Sequence, residues 1–599
     1  MKITIKPDLK LFLDTQKHSE QLSALFNQYS LYVNDWCTPQ TITIDSDGTN
    51  LLDHINEQST YLFGFTGNKT ITYFHLNSQI CSATITRPIL DDSNALKALR
   101  LIDNIEIIIN DNAFMDIEFI KRLPQLCHIK IKSEQQRLEL APLNTLTSIK
   151  SLSLSGIGML ITPNSGICTT PDLSKLVQLE RLTLQELARL PSLKNLPQLK
   201  NLEIIRNGDI TEVSFIAHLK SLSQLYLNDC FKLSDISSIS TLVHLKKLSL
   251  YYSSRITNID ALKNLKNLTF LDLRGLSELT DYSTLKNLTA LDYLDISSNS
   301  NFKDTDLKLI PSSIKQLDLS YNNITTTDGL SSLTNLQELN LTGCNKIKCY
   351  SGLKKLHNLT KLNLITPYSG NNLNFLKDLR SLEYLDLNSS LCNDIHSLSG
   401  LKKLIGLHLS RCFNLKNITP IKHINTLRYL NIDQYCGDAS VFSQFYTLTN
   451  LTKLSINGCT TITNLKGFSR FTSLQNLHLM SCENLSNIDS LQNLTDLRTL
   501  YLDDSPKITS ISALRECTNL KYLSGDFHPA ITIEILAYTA AKRKDNEYIL
   551  MNAQTWVDEL IEAKIEHKKI AKQFNATLKM AFNTLANDSD KSKWLLAIQ

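Results

Sequence analysis

No sign of charge dominates this chain. Its 62 basic and 58 acidic residues are interleaved and leave a formal net charge of only +4. That balance gives no basic stripe for a nucleic acid to follow, so no nucleic-acid partner is expected. No apolar run approaches the roughly 18 residues that a membrane-crossing helix requires, so no membrane span is expected. Asp8, Lys10 and Asp14 interrupt the first twenty residues where a secretory signal needs an unbroken apolar core. The 13 cysteines include no C-x-x-C pair and no Cys/His cluster at zinc spacing, which argues against a metal site. No G-x-S-x-G elbow is present. The run Gly64-Phe-Thr-Gly67-Asn-Lys69-Thr70 fails as a phosphate loop: Asn68 separates glycine from lysine, and the glycines stand too close. It reads as a turn. No cofactor, metal or catalytic residue is therefore expected, and the chain reads as a non-enzyme.

What the sequence does contain is one phrase repeated from about residue 101 to about residue 525. Leu333-Thr-Asn-Leu336-Gln-Glu-Leu339-Asn-Leu341 is followed by Leu356-His-Asn-Leu359-Thr-Lys-Leu362-Asn-Leu364 and by Leu379-Arg-Ser-Leu382-Glu-Tyr-Leu385-Asp-Leu387. Most successive copies lie 22 or 23 residues apart. Within L-x-L the two leucines alternate with polar residues, which places both on one side of a short strand. One such unit cannot bury its leucines alone; stacked in parallel, neighbours bury a continuous core. Between strands, Leu233-Ser-Asp-Ile236-Ser-Ser-Ile239-Ser-Thr-Leu242 and Ile256-Thr-Asn-Ile259-Asp-Ala-Leu262-Lys-Asn-Leu265 carry apolar residues every third position. Over so short a run this spacing suits 3₁₀ or irregular turns better than a long helix.

The template resembles the short bacterial and SDS22-like leucine-rich repeats, as found in internalins and in effectors of intracellular bacteria. The resemblance implies an α/β-type solenoid: a leucine-rich-repeat horseshoe with a parallel concave β-sheet, a 3₁₀ or irregular convex side and a helical C-terminal cap. For function it implies a binding scaffold, because unrelated activities share this fold.

Cys230, Cys344, Cys412, Cys459 and Cys482 all stand three residues after the last strand leucine, where Asn299 and Asn322 stand in other copies. This is the inward corner after the strand, and a free thiol fits there as a small buried group. Free thiols agree with a cytoplasmic chain, or one delivered into a host cytosol without a cleaved signal peptide. The N-L-T sequons at Asn267, Asn287, Asn358, Asn450 and Asn493 arise from the repeat template rather than from glycosylation.

The organisation reads as an N-terminal cap with degenerate repeats (1–100), the repeat array (101–525) and a C-terminal helical cap or module (526–599). Leu22, Leu25, Phe26 and Tyr29 have helical spacing, while Thr41–Ile44 and Thr70–Leu76 alternate like strands, and the array begins around Leu101, Ile107 and Ile109 or earlier. Residues 156–171, rich in Gly, Pro, Ser and Thr, lengthen the step between the copies at 149 and 179 and read as a surface loop. After His528-Pro529 an apolar stripe runs through Trp556, Leu560, Ile561, Ile565, Phe574, Leu578, Phe582 and Leu585 at helical steps. It covers the open end of the array or docks a partner. Glu559, Glu562 and Glu566 faintly resemble the acidic tail signals of type IV secreted effectors.

The residues between and beside the strand leucines point outward and build the concave face. Candidate partner-binding residues are Tyr226, Tyr251, Phe270, Asp272, Arg274, Tyr293, Asp295 and Asp318, with a second group at Tyr384, Asp386, His408, Tyr429 and Asp433. Aromatic rings beside charges on a rigid face are what protein-binding hot spots use. The opposing reading is that Tyr suits exposed strand positions anyway and that Asp or Asn is a habit of the repeat. The aligned Asp272, Asp295 and Asp318 have no nucleophile or pocket beside them, so neither acid–base chemistry nor calcium is expected. The function expected is protein binding through the concave face, most of all by a bacterial effector acting on a host protein. The alternative is an adaptor or regulatory subunit that recruits a substrate by the repeats and docks an enzyme by its terminal helices.

Overall fold

The computed structural model describes residues 43–44, 64–65 and 104–525, the last with breaks at 110–114, 117–119, 122–125, 134–137, 140, 157–172, 188–189, 366–372 and 518. The remainder of the expected N-terminal cap, the 156–171 loop beyond Gly156 and the C-terminal helices lie outside the described residues. Thr43–Ile44 is a strand, as its alternation suggests, and it pairs in parallel with Gly64–Phe65. Gly64 and Phe65 thus belong to a strand rather than to the turn expected there. The chain falls into two compact units, Met1–Asn301 and Phe302–Gln599.

In the first unit, Asn104–Ile109, His128–Ser133, Ser151–Ser155, Arg181–Gln185, Asn201–Ile205, Gln224–Asn228, Lys247–Ser249, Phe270–Asp272 and Tyr293–Asp295 pair in that order. Every pair is parallel. Leucine or isoleucine faces leucine or isoleucine: Ile105, Ile129, Leu152, Leu182, Leu202, Leu225 and Leu248 are one register line. Register therefore survives both the longest and the shortest step in the array, because a one-residue slip would turn the leucines outward. In the second unit the same arrangement runs from Gln316–Asp318 through Tyr384–Asp386, Gly406–His408 and Tyr429–Asn431 to Tyr522–Ser524. The strand leucines are buried, most of them completely.

The period-3 runs have a hydrogen-bond explanation. Ile239 N–H donates to Ile236 O at 3.0 Å, Leu242 to Ile239 at 2.9 Å and Leu245 to Leu242 at 3.0 Å. Each turn spans three residues, so the same side faces the core every third position. Ser237–Thr241 and Asp260–Leu262 are 3₁₀ turns, as are Asp328–Ser332, Ser351–Lys355 and His396–Gly400 in the second unit. An aspartate or asparagine before the turn accepts its first free amide: Asp235 from Ser237 at 2.8 Å, Asp281 from Ser283 at 2.8 Å, Asp394 from His396 at 2.9 Å. The asparagine of N-L-T has its own structural use. Asn267 Nδ2 donates to Val243 O at 3.0 Å, and Asn358 Nδ2 to Thr334 O at 2.9 Å, one repeat back. The nitrogen that a glycan would take is already a rung between repeats.

Strand exit is built from two rows. The residue two after the last strand leucine adopts a left-handed φ in copy after copy: Arg206, Asp229, Tyr252, Gly275 and Ser298, then Tyr321, Gly343, Ser389, Arg411 and Gln434. Its N–H makes one more rung to the following repeat, as from Tyr321 to Thr342 O at 2.7 Å, before the chain turns away. The next residue points inward and donates to the carbonyl of a strand leucine. Asn299 Nδ2 reaches Leu273 O at 2.9 Å, Ser253 Oγ reaches Leu227 O at 2.8 Å and Cys344 Sγ reaches Leu319 O at 3.0 Å. Amide, hydroxyl and thiol interchange here because each supplies one donor in a small volume. The cysteines expected in this row are buried, and all the described cysteines are free thiols.

Candidate functional site

The outward positions form three columns on the strand face, and the middle one answers why aspartate and asparagine recur there. Each uses its Oδ1 to accept the N–H two residues on, where the strand ends and pairing lapses. Asp295 takes Ser297 at 2.9 Å, Asp318 takes Ser320 at 2.8 Å, Asn340 takes Thr342 at 3.0 Å, Asp386 takes Asn388 at 2.9 Å and Asn431 takes Asp433 at 2.9 Å. The carboxylates and amides of this column are strand terminators first.

In the first unit, Asp272 and Asp295 differ from the solvent-facing position expected of them. Their relative exposures are 4% and 2%. The reason is Arg274. Its Nη2 lies 2.8 Å from Asp272 Oδ2, and its Nε lies 3.1 Å from both Asp272 Oδ1 and Asp295 Oδ2. The two aspartates share one guanidinium, which also lies over the Tyr251 ring at 4.6 Å from the centroid. Both carboxylates hold Arg274 protonated well above the ordinary guanidinium range, with hydrogen bonding to Asp272 the largest contribution. Phe270 and Tyr293, in register in the preceding column, stack at 4.4 Å and 7°. The Tyr293 hydroxyl donates to Asp295 Oδ2 at 3.4 Å and the Ser249 hydroxyl to Asp272 Oδ2 at 3.2 Å. Tyr226 stands two strands away and donates to Gln224 at 3.4 Å; burial raises its phenol above the ordinary value, and the Glu203 carboxylate adds to this.

Asp318 lies in the second unit, where its Oδ2 takes Asn340 Nδ2 at 2.7 Å. There the second expected group comes together. Tyr384, Gly406 and Tyr429 are register partners on consecutive strands, and Asp386, His408 and Asn431 run beside them. Tyr384 and Tyr429 are 43% and 41% exposed, and His408 is exposed. Asp433 is spoken for: its Oδ1 accepts Ser455 Oγ at 2.6 Å and Asn457 N at 2.7 Å.

A third aromatic group was not singled out from the sequence. His478 meets Tyr501 at 4.6 Å, and Tyr501 meets Tyr522 at 4.8 Å, on the last three described strands. Burial lowers the His478 pKa, Lys453 lowers it further and Asp433 opposes them. The signal was available, since residues at matched positions in successive copies are neighbours; Tyr522 escaped because it belongs to a different column from Tyr501.

Short parallel strands in leucine register, 3₁₀ returns and a polar exit row together decide the architecture. The fold is a leucine-rich-repeat solenoid. The family model for leucine-rich repeats (2 copies) matches residues 312–355 of it. Among solved structures, this solenoid is similar to a leucine-rich-repeat protein of Leptospira interrogans, with 18% identity over 72% of this chain and 98% of that one and a TM-score of 0.44. It is also similar to the functional domain of InlJ from Listeria monocytogenes, which includes a cysteine ladder, with 18% identity over 60% of this chain and 75% of that one and a TM-score of 0.42. A plant peptide hormone receptor, RGFR1 in complex with RGF2, shares 16% identity over 81% of this chain and 88% of that one, with a TM-score of 0.36. No curated protein matches the sequence.

Proposed function

We propose that this solenoid is a non-enzymatic protein-binding scaffold, and that it serves as a bacterial effector whose strand face engages a host protein. One observation carries the reading. On a strand face where Asp386 and Asn431 each cap their own strand end, aromatic rings are left facing solvent at Tyr384 and Tyr429. A rigid, exposed aromatic surface gives large contact area at small entropic cost, as protein-binding hot spots do. The free buried thiols support a reducing compartment, the cytoplasm or a host cytosol. The effector role is supported by the resemblance of the repeat template.

The residues of the first group, from Tyr226 and Tyr251 to Asp295, offer a second surface in their own unit through the stacked Phe270–Tyr293 pair. The test is affinity capture from host-cell lysate by the intact chain beside a Tyr384→Ala/His408→Ala/Tyr429→Ala variant and a Phe270→Ala/Tyr293→Ala variant. Capture lost in either variant, with the circular dichroism spectrum kept, supports the reading. Undiminished capture by both would sink it and turn attention to residues 156–171 and 526–599.

A further inference from the structure

Around the two exposed tyrosines the register places a longer symmetrical column, Lys361–Tyr384–Gly406–Tyr429–Lys453, one residue on each of five consecutive strands. These residues are 22 to 24 positions apart, at the matched position of successive copies. We infer that this column docks an extended segment of a partner protein in which an apolar or aromatic side chain is flanked on both sides by carboxylates. The inference rests on the strand face being the binding surface and goes further by stating what chemistry it selects.

The centre is apolar by construction. Gly406 has no side chain, and a Cβ placed there would stand 2.6 Å from Tyr384 Cδ1. The Tyr384 ring therefore lies against Gly406 and stays substantially exposed, with Tyr429 on the next strand beyond Gly406. Gly406 is a positioning residue for that ring. The ends are cationic. Lys453 is exposed, and Lys361 is held by Glu338 at 3.6 Å with both side chains nearly half exposed. A surface pair of that kind is weak and can be exchanged for a partner's carboxylate. Asp386 stands beside the centre with one oxygen already committed to Asn388 N. Its charge disfavours an acid in the middle of the ligand, and the lysines favour acids at the ends. Four strand spacings separate the lysines, about 19 Å, which an extended chain covers in about six residues.

The test is selection of a random peptide library displayed on phage against the full chain, followed by affinity measurement on variants that keep the parent circular dichroism spectrum. Enriched peptides are expected to carry an apolar or aromatic residue between Asp or Glu residues about six positions apart, and to weaken with added salt. Tyr384→Ala/Tyr429→Ala is expected to cost at least about tenfold in affinity, as hot-spot truncations do. Lys361→Glu/Lys453→Glu is expected to abolish the acidic preference, and Gly406→Ala to weaken binding by displacing the ring. Failure to enrich acid-flanked sequences overturns the inference, as does equal binding by the lysine variant. Peptides lost instead on Phe270→Ala/Tyr293→Ala would overturn it while keeping the strand face as the binding surface. Peptides indifferent to every strand-face substitution would remove both.

Discussion

Arg274 shows how one side chain settles the state of its neighbours. Two aspartates that the repeat places side by side would repel, yet a single guanidinium bonds both and lies over Tyr251. Removing it leaves two buried carboxylates with one cation missing. Arg274→Ala is expected to cost about 2–3 kcal/mol, the scale of hydrogen bonds to charged groups. Adding Asp272→Asn and Asp295→Asn should restore part of that loss, since neutral amides need no counter-charge. Urea unfolding of the three proteins measures it; no recovery in the combined variant would refute the shared-cation account. Gly343 makes a second case at this scale. Its φ of +72° is left-handed, as at the same corner in other copies, but its special constraint is the Tyr321 ring. A Cβ at 343 would lie 2.5 Å from Tyr321 Cδ1. Gly343→Ala should destabilise by about 1–3 kcal/mol, and Tyr321→Ala in the same chain should remove most of that penalty. Independent effects in a double-mutant cycle would contradict it.

At the scale of the element, the exit row couples the stability of the turn to the protonation of thiols. Burial pushes Cys230 up to about 11, and Cys344 and Cys482 up to about 12, from a thiol's ordinary value near 9. An acid whose folded pKa is raised binds its proton more tightly in the folded state, so its contribution is fully present below about pH 9. It is then lost as pH rises toward about 12. The denaturation midpoint should therefore fall between pH 9 and 11, and Cys344→Ser/Cys482→Ser should flatten that fall. A slope unchanged by the substitutions would rule the thiols out as its source. The same burial predicts an order of reactivity. Cys436 is exposed, whereas Cys230, Cys344, Cys459 and Cys482 are buried. Alkylation mapped by mass spectrometry in native conditions should label Cys436 before the buried row, which reacts only on unfolding; early labelling of Cys344 would contradict the described corner.

At the scale of the molecule, each strand bonds only to its neighbours, so stability within a unit accumulates copy by copy. Leu454→Ala, in the strand between Tyr429–Asn431 and Asn476–His478, should cost about 2–5 kcal/mol. Hydrogen exchange should rise most at the strands paired with it, and fade with distance along the second unit. A uniform loss of protection across that unit would mean that it unfolds as a single cooperative body.

The leucine spacing alone determined the solenoid, the strand positions, the 3₁₀ returns and the buried thiol row, because periodic burial is written in the sequence at fixed intervals. It also placed Phe270 beside Tyr293 and Tyr384 near Tyr429, since matched positions in successive copies must be neighbours. Tertiary structure alone decided which outward residues remain available. Asp272 and Asp295 look like exposed charges in the sequence and are buried, because Arg274 bonds Asp272 on its own strand and Asp295 on the next. The aspartates of the middle column look like contacts and are strand terminators, because the amide they accept is freed only when the strand ends. Lys361 and Lys453 stand at the same repeat position as Tyr384 and Tyr429, but only the structure shows both lysines exposed at the two ends of that column. Periodicity fixes where a side chain starts; what it reaches depends on the size and charge of the neighbours that pairing brings beside it.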